Sequence, residues 1–191
     1  MIYQIVDAVF EYKTLLITEA CRIKLAERIK EARNLELPPT ANLIFKNLEV
    51  EWYDQPERAV PDITKLEGYL VFSPKAMLAL SKLIPAHADI VPFTLDNEQW
   101  SIIDLIKSSE NLIESISDEE QLTSQSYEED PDAYIQFQED AVADQLFFLE
   151  NPDLRYFCQD KFKEAVTRND LKGIVITENL VTLDYRLVDP A

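Results

Sequence analysis

Leu154-Arg155-Tyr156-Phe157-Cys158-Gln159-Asp160-Lys161-Phe162-Lys163-Glu164-Ala165-Val166 reads as a short apolar strand, a polar break and an amphipathic helix running to about Arg168. Phe162, Ala165 and Val166 fall on one helical face, and Asp160 complements the positive helix start. The same grammar occurs twice more. Tyr69-Leu70-Val71-Phe72 leads through Ser73-Pro74 into a helix to about Ile84, and Leu15-Leu16-Ile17 leads through Thr18-Glu19 into a helix to about Arg33. Ser73 and Thr18 are good N-caps, and Pro74 suits the first helical position. In the first helix Cys21, Leu25, Ile29 and Ala32 share a stripe. An old duplication and the recurrence of a favoured unit both account for the three copies.

Outward from these units, more strands are expected. Leu43-Ile44-Phe45 and the alternating Leu48-Glu49-Val50-Glu51-Trp52 have strand character, and Gln55 to Pro61 reads as a loop. Ile90 to Leu95 predicts an edge strand, because Pro92 has no N–H for a ladder. Trp100 to Ile106 fits strand or helix. Gly173 to Ile176 and Val181 to Leu187 predict two C-terminal strands, joined as a hairpin around Glu178-Asn179. Separate helices and strand runs point to an α+β fold with one or two small mixed or antiparallel sheets. Two regions, 1–95 and 96–191, are expected, or a single compact domain holding both.

From Ser108 to Asp153 the chain carries fourteen acids and no Lys or Arg. This window holds most of a formal net charge of −18. Such a run cannot bury its charges unpaired. Tyr127, Tyr134, Phe137 and Leu146-Phe147-Phe148-Leu149 are interleaved with the acids, and the Phe147-Phe148 pair is expected to anchor the window. Acids with aromatics suit a surface that holds a basic protein, and a solvated face that keeps the chain soluble accounts for the run equally well. The charge argues against nucleic acid and an anionic membrane as partners. No apolar run approaches the roughly 18–20 residues that span a bilayer. The first residues lack a basic leader, so a soluble cytosolic protein is predicted, monomeric or dimeric.

Few parts exist for catalysis. Two glycines, Gly68 and Gly173, cannot make a phosphate loop or nucleophile elbow. One histidine, His87, sits in a predicted turn beside Asp89. The carboxylate pairs Glu119-Glu120, Glu128-Glu129 and Glu139-Asp140 lie in the solvated run, where no dry pocket shifts their pKa. Glu128 to Asp132 lacks a calcium-loop signature. Cys21 and Cys158 read as buried free thiols, and Trp52 and Trp100 as core. The expectation is no cofactor, no metal and no catalytic residue.

The third unit continues through Asn169-Asp170-Leu171-Lys172-Gly173-Ile174-Val175-Ile176. It resembles the C-terminal signature of a bacterial immunity-protein family, a strand and an "sDeFkeAv" helix followed by "gLtGv.f". Tyr69 to Ala76 resembles that family's "fvSpka" segment, and Trp100 to Ile106 stands where its apolar central segment lies. The resemblance covers about residues 69–177. Gln159 departs from the usual cap Ser, and the acidic window is an addition. The family neutralises toxins of bacterial competition systems. The resemblance therefore implies a cytosolic antidote that binds a toxin domain and has no chemistry of its own. The charge adds that the toxin surface is basic. Its expected contacts are Tyr127, Glu128, Glu129, Asp130, Asp132, Tyr134, Phe137, Glu139 and Asp140. Two other classes stay open: a polyanion mimic that inhibits a DNA-handling protein, and an enzyme with an acidic pocket.

Overall fold

The computed structural model describes residues 1–34, 41–53, 55–105, 112–116, 134–138, 142–149 and 155–181. The chain begins β1 (Ile2–Asp7), β2 (Leu15–Ile17), α1 (Glu19–Asn34), α2 (Ala41–Ile44) and β3 (Val50–Trp52). It continues β4 (Ile63–Leu66), β5 (Tyr69–Phe72), α3 (Pro74–Leu80) with a 3-10 turn at Ser81–Leu83, β6 (Asp89–Leu95) and β7 (Glu98–Asp104). Then come β8 (Ile113–Ile116), β9 (Ile135–Phe137), β10 (Leu146–Leu149), β11 (Arg155–Gln159), α4 (Asp160–Arg168) and β12 (Ile174–Thr177). The fold is α+β, and the strand ladders are antiparallel.

Two four-stranded sheets carry the structure, in the orders β10-β11-β1-β12 and β4-β5-β7-β6. Period-two alternation gives each sheet two apolar faces. Tyr3 and Ile5 of β1 and Tyr156 and Cys158 of β11 meet Leu70 and Phe72 of β5 and Ile103 of β7. Helices α3 and α4 complete this central core with Ala76, Leu80, Phe162 and Val166. The opposite face of the second sheet, with Val71, Val91, Phe93 and Ile102, is covered by α1, α2 and the β2–β3 pair. The opposite face of the first sheet, with Ile2, Phe147 and Phe157, is covered by the β8–β9 hairpin through Ile135 and Phe137.

Local chemistry sets the boundaries. Ser73 Oγ accepts the Ala76 N–H at 3.1 Å, and Pro74 opens α3. Helix α4 ends in a Schellman motif: the Leu171 N–H donates to the Val166 carbonyl and the Asp170 N–H to that of Thr167. Asp170 takes the left-handed position at φ 48°, where glycine is usual. Two tight turns close the second sheet. Glu67 and Gly68, and Asp96 and Asn97, all have positive φ, the two-residue geometry that matches strand twist.

Three expectations need correction. Leu43-Ile44-Phe45 is not a strand: it overlaps the short helix α2, whose first N–H, on Ala41, donates to Asp104 Oδ2 at 2.9 Å. That partner lies sixty-three residues away, so the local apolar run gave no sign of it. Of the two organisations expected, the division at 95/96 falls inside the β6–β7 turn, and β1 is paired on both sides by strands from the other half, so the two regions share both large sheets, as the single-domain alternative has it. Among the described residues the strands form four antiparallel sheets, two of them two-stranded pairs, against the one or two expected. Strand β6 does lie at a sheet edge with Pro92 in it, as expected. Residues 182–187 of the second expected C-terminal strand lie outside the described residues.

Candidate docking surface

The acidic window is tied down by its apolar residues. In β9, Ile135 and Phe137 point into the core, while Gln136 faces outward. Gln136 donates to Glu114 Oε2 at 3.0 Å and accepts from Ser115 Oγ at 3.2 Å, so β8 and β9 are also joined across their outer face. Further along, Gln159 Nε2 donates to the carbonyls of Val142 (2.7 Å) and Asp144 (3.2 Å). This gives Gln159 a role other than capping. Its backbone stands at the start of α4 but makes no side-chain cap; the amide is spent holding the acidic segment onto β11. Phe147, expected as an anchor, is one: it stacks on Phe157 at 5.6 Å and meets Phe137 edge-on at 5.5 Å.

The expected contact residues separate accordingly. Tyr127, Glu128, Glu129, Asp130, Asp132, Glu139 and Asp140 lie outside the described residues. Tyr134 is 49% exposed. Phe137 is 6% exposed and edge-on to Phe157 at 4.9 Å. It is therefore a core side chain rather than a docking anchor, because strand alternation turns it inward. His87 is directed at Asp144 of the acidic segment, Nε2 to Oδ2 4.0 Å, rather than paired with Asp89.

Titratable groups elsewhere serve the fold. Cys158 is fully buried, and burial pushes its thiol far above the ordinary range, which makes it a poor nucleophile. Cys21 is also a buried free thiol. Asp104 is raised by burial, an effect partly offset by the Ala41 N–H. A groove of about 440 Å³ is lined by Tyr3, Asp160, Lys163, Glu164, Thr167 and Arg168. Its charges are matched internally: Tyr3 donates to Asp160 at 3.0 Å, Lys163 lies over the Tyr3 ring at 4.2 Å, and Arg168 reaches Glu164 at 3.7 Å. Among the described residues, no three His, Cys, Asp or Glu side chains are grouped to hold a metal ion. None of the described helices is long and apolar enough to cross a membrane.

Among the described residues, Asp7 is a largely buried acid with a deficit. Its Oδ1 is closed to solvent and accepts no hydrogen bond, although 18% of the side chain is accessible. Oδ2 is 3.7 Å from Lys65 Nζ, too long for a strong pair. Burial raises this carboxyl, and Lys65 only partly opposes the rise. The folded chain thus holds the proton more tightly than the unfolded one. Stability from this site is gained as pH falls through the raised value and lost as pH rises past it. Asp7→Asn should therefore raise the melting temperature at pH 7, and that advantage should shrink as pH falls toward about 4, the ordinary Asp value. A difference between variant and wild type that stays constant with pH would contradict this account.

One surface feature has no counterpart in the sequence expectations. Among the described residues, Val9, Phe10, Tyr53 and Val60 are four of the nine exposed large apolar side chains. They lie on two loops that hydrogen bonds tie side by side: the Lys13 N–H donates to the Ala59 carbonyl at 2.9 Å, and the Tyr53 N–H to that of Thr14 at 2.8 Å. Arg58 Nη1 caps the Val9 carbonyl at 2.6 Å. The available signal was Val9-Phe10, an apolar pair just past the end of β1 with no strand to belong to.

No protein-family model matches the chain, and neither a curated protein nor a solved structure matches it.

Proposed function

We propose that this chain is a binding inhibitor, an immunity protein that occupies a basic toxin domain. The observation that carries the reading is the acid-only run from Ser108 to Asp153, secured to the first sheet by buried Ile135, Phe137, Val142 and Phe147. A merely solubilising run has no need of such anchoring. The connection between β8 and β9 carries Tyr127 to Asp132, so the densest charge is tethered at both ends to a packed hairpin. The strand–cap–helix units at Tyr69–Leu80 and Arg155–Arg168 support the likeness to immunity proteins.

The test begins with the product of the adjacent reading frame, expressed with and without this chain. Growth arrest relieved by co-expression supports the reading, and arrest unaffected by it counts against it. With the purified pair, charge and apolar contacts separate kinetically. Field effects act on association and are screened by salt, whereas buried anchors act on dissociation. Reversing Glu128, Glu129, Asp130 and Asp132 to Lys should lower the association rate about tenfold or more and flatten its salt dependence. Tyr134→Ala should raise the dissociation rate by roughly thirtyfold, the effect of losing a hot-spot aromatic. Unchanged rates in folded variants would exclude this surface.

A further inference from the structure

Helix α1 is held to the second sheet along one side only. Cys21 is buried there, and Leu25 and Ile29 pack against the same core from partly buried positions. Arg28 Nη1 donates to the carbonyls of Ile44 (3.1 Å) and Lys46, which fixes α1 to the end of α2. The other side of the helix carries Glu19, Ile23, Ala26 and Lys30, all exposed, with Ile23 at 57%. Spacings of four, three and four residues set them in one stripe along the helix. The order along the stripe is acid, large apolar, small apolar, base. We propose that this stripe pairs with the same stripe of a second copy of the chain, the two α1 helices running antiparallel about a two-fold axis between Ile23 and Ala26. That rotation brings Glu19 opposite the partner's Lys30, and Lys30 opposite the partner's Glu19. It sets Ile23 against the partner's Ala26, whose small side chain leaves room for it.

Three observations favour a second copy as the occupant. First, a two-fold contact needs a patch that is complementary to itself, and a stripe with opposite charges at its ends and apolar side chains between them is one. The helix dipole alone favours an acid at the start and a base near the end, but it does not call for an exposed Ile between them. Second, the charge of α1 is unlike that of the chain. From Glu19 to Glu31 it has three acids and four bases, whereas the whole chain carries −18. A contact here therefore sets nearly neutral surfaces against each other. Third, α1 lies over the outer face of the second sheet, and the β8–β9 hairpin over the outer face of the first. Pairing through α1 places the two acidic hairpins at opposite ends of the dimer. Several packed layers of about 10 Å each separate hairpin from contact, against a Debye length of about 8 Å in physiological salt. The same arrangement leaves both hairpins open to a partner of any kind.

The full chain is followed by sedimentation velocity from micromolar to near-millimolar concentration. A reversible monomer–dimer equilibrium is expected, because one helix a side buries less surface than a permanent interface does. Ile23→Ser should weaken the dimer about tenfold or more, since the side chain enters the contact twice. Glu19→Lys and Lys30→Glu should each weaken it about tenfold, by turning two attractive pairs into two repulsive ones. An equimolar mixture of Glu19→Lys and Lys30→Glu should associate again, as a heterodimer, because one variant has bases at both ends of its stripe and the other has acids. Circular dichroism and melting temperature check that each variant folds. The mixture separates pairing from damage, since a frayed α1 is not mended by a second frayed one. A chain that stays monomeric throughout would overturn the proposal. So would a dimer that Ile23→Ser and both charge reversals leave intact, or two weakened variants whose mixture does not associate.

Discussion

Gly173→Ala should lower stability by at least about 3 kcal/mol and the melting temperature by roughly 10 °C. Two costs combine. The residue sits at φ +107°, where a Cβ adds strain of about 1–3 kcal/mol. A Cβ there would also fall inside the contact shell of the Ile63 carbonyl oxygen and the Pro61 side chain. Neither can retreat easily, because this is a crossing of three backbone segments. The Lys172 carbonyl accepts N–H groups from Asp62 (2.8 Å) and Ile63 (2.9 Å), and the Gly173 carbonyl accepts that of Ala8 at 3.0 Å. Asp62 Oδ2 closes the knot on the Lys172 N–H and on Lys75 Nζ, both at 3.0 Å. Overpacking a fixed site adds a further penalty of about 1–3 kcal/mol. Gly68→Ala is the control. It carries φ strain at a hairpin turn (φ 87°), and should cost only about 1–3 kcal/mol. Equal effects of the two substitutions, measured by urea and thermal denaturation, would mean that the crossing yields and that packing at Gly173 contributes nothing.

The crossing also shows what the sequence disclosed and what it concealed. Only two glycines in 191 residues marked Gly173 as special, but nothing local named Ile63 as its neighbour. The strand–cap–helix units were legible because their signals are local: Ser73 and Pro74, an acid at position 160, and a stripe in the first helix. The edge position of β6 was legible from Pro92 alone. The hairpins were within reach, since Glu67-Gly68 and Asp96-Asn97 are turn pairs between apolar runs, but the strand ending at Leu66 was obscured by Thr64 and Lys65 in its middle. The three short strands inside the acidic window were hidden for a different reason. Charge density dominates such a stretch, yet one side chain in two needs only to be apolar for a strand to pack. Ile135 with Phe137 supplies that pattern, and in β10 Leu146 and Phe147 pack on opposite faces, while the acids between these strands obscured it. Phe137 follows the same logic: among acids it has the composition of an outward anchor, but its place in the strand alternation turns it inward.

Phe157→Ala should cost about 3–5 kcal/mol, as deletion of a fully buried aromatic does, and its effect should extend to the acidic segment. The ring is the centre of the third core: Phe147 stacks on it at 5.6 Å, and Phe137 meets it edge-on at 4.9 Å. Through Phe137 the β8–β9 hairpin is held on the first sheet, and through Phe147 so is β10. A two-stranded hairpin is marginal by itself, so its order depends on this face. Phe162→Ala is the matching deletion in the central core, where the ring is equally buried and lies 6.5 Å from Phe72. Both should lower global stability by a similar amount. Only Phe157→Ala should open the hairpin locally, seen as faster amide exchange at Gln136 and Gln138, whose N–H groups belong to the β8–β9 pairing and to the Leu112 carbonyl. If the proposed docking role of the acidic segment holds, that loosening should also weaken partner binding beyond the loss seen with Phe162→Ala, because the cost of ordering the hairpin moves from folding to binding. Equal exchange at Gln136 and Gln138 in the two variants would show that the hairpin draws its order from elsewhere. It would then remove the anchoring argument on which the docking role of the acidic segment rests.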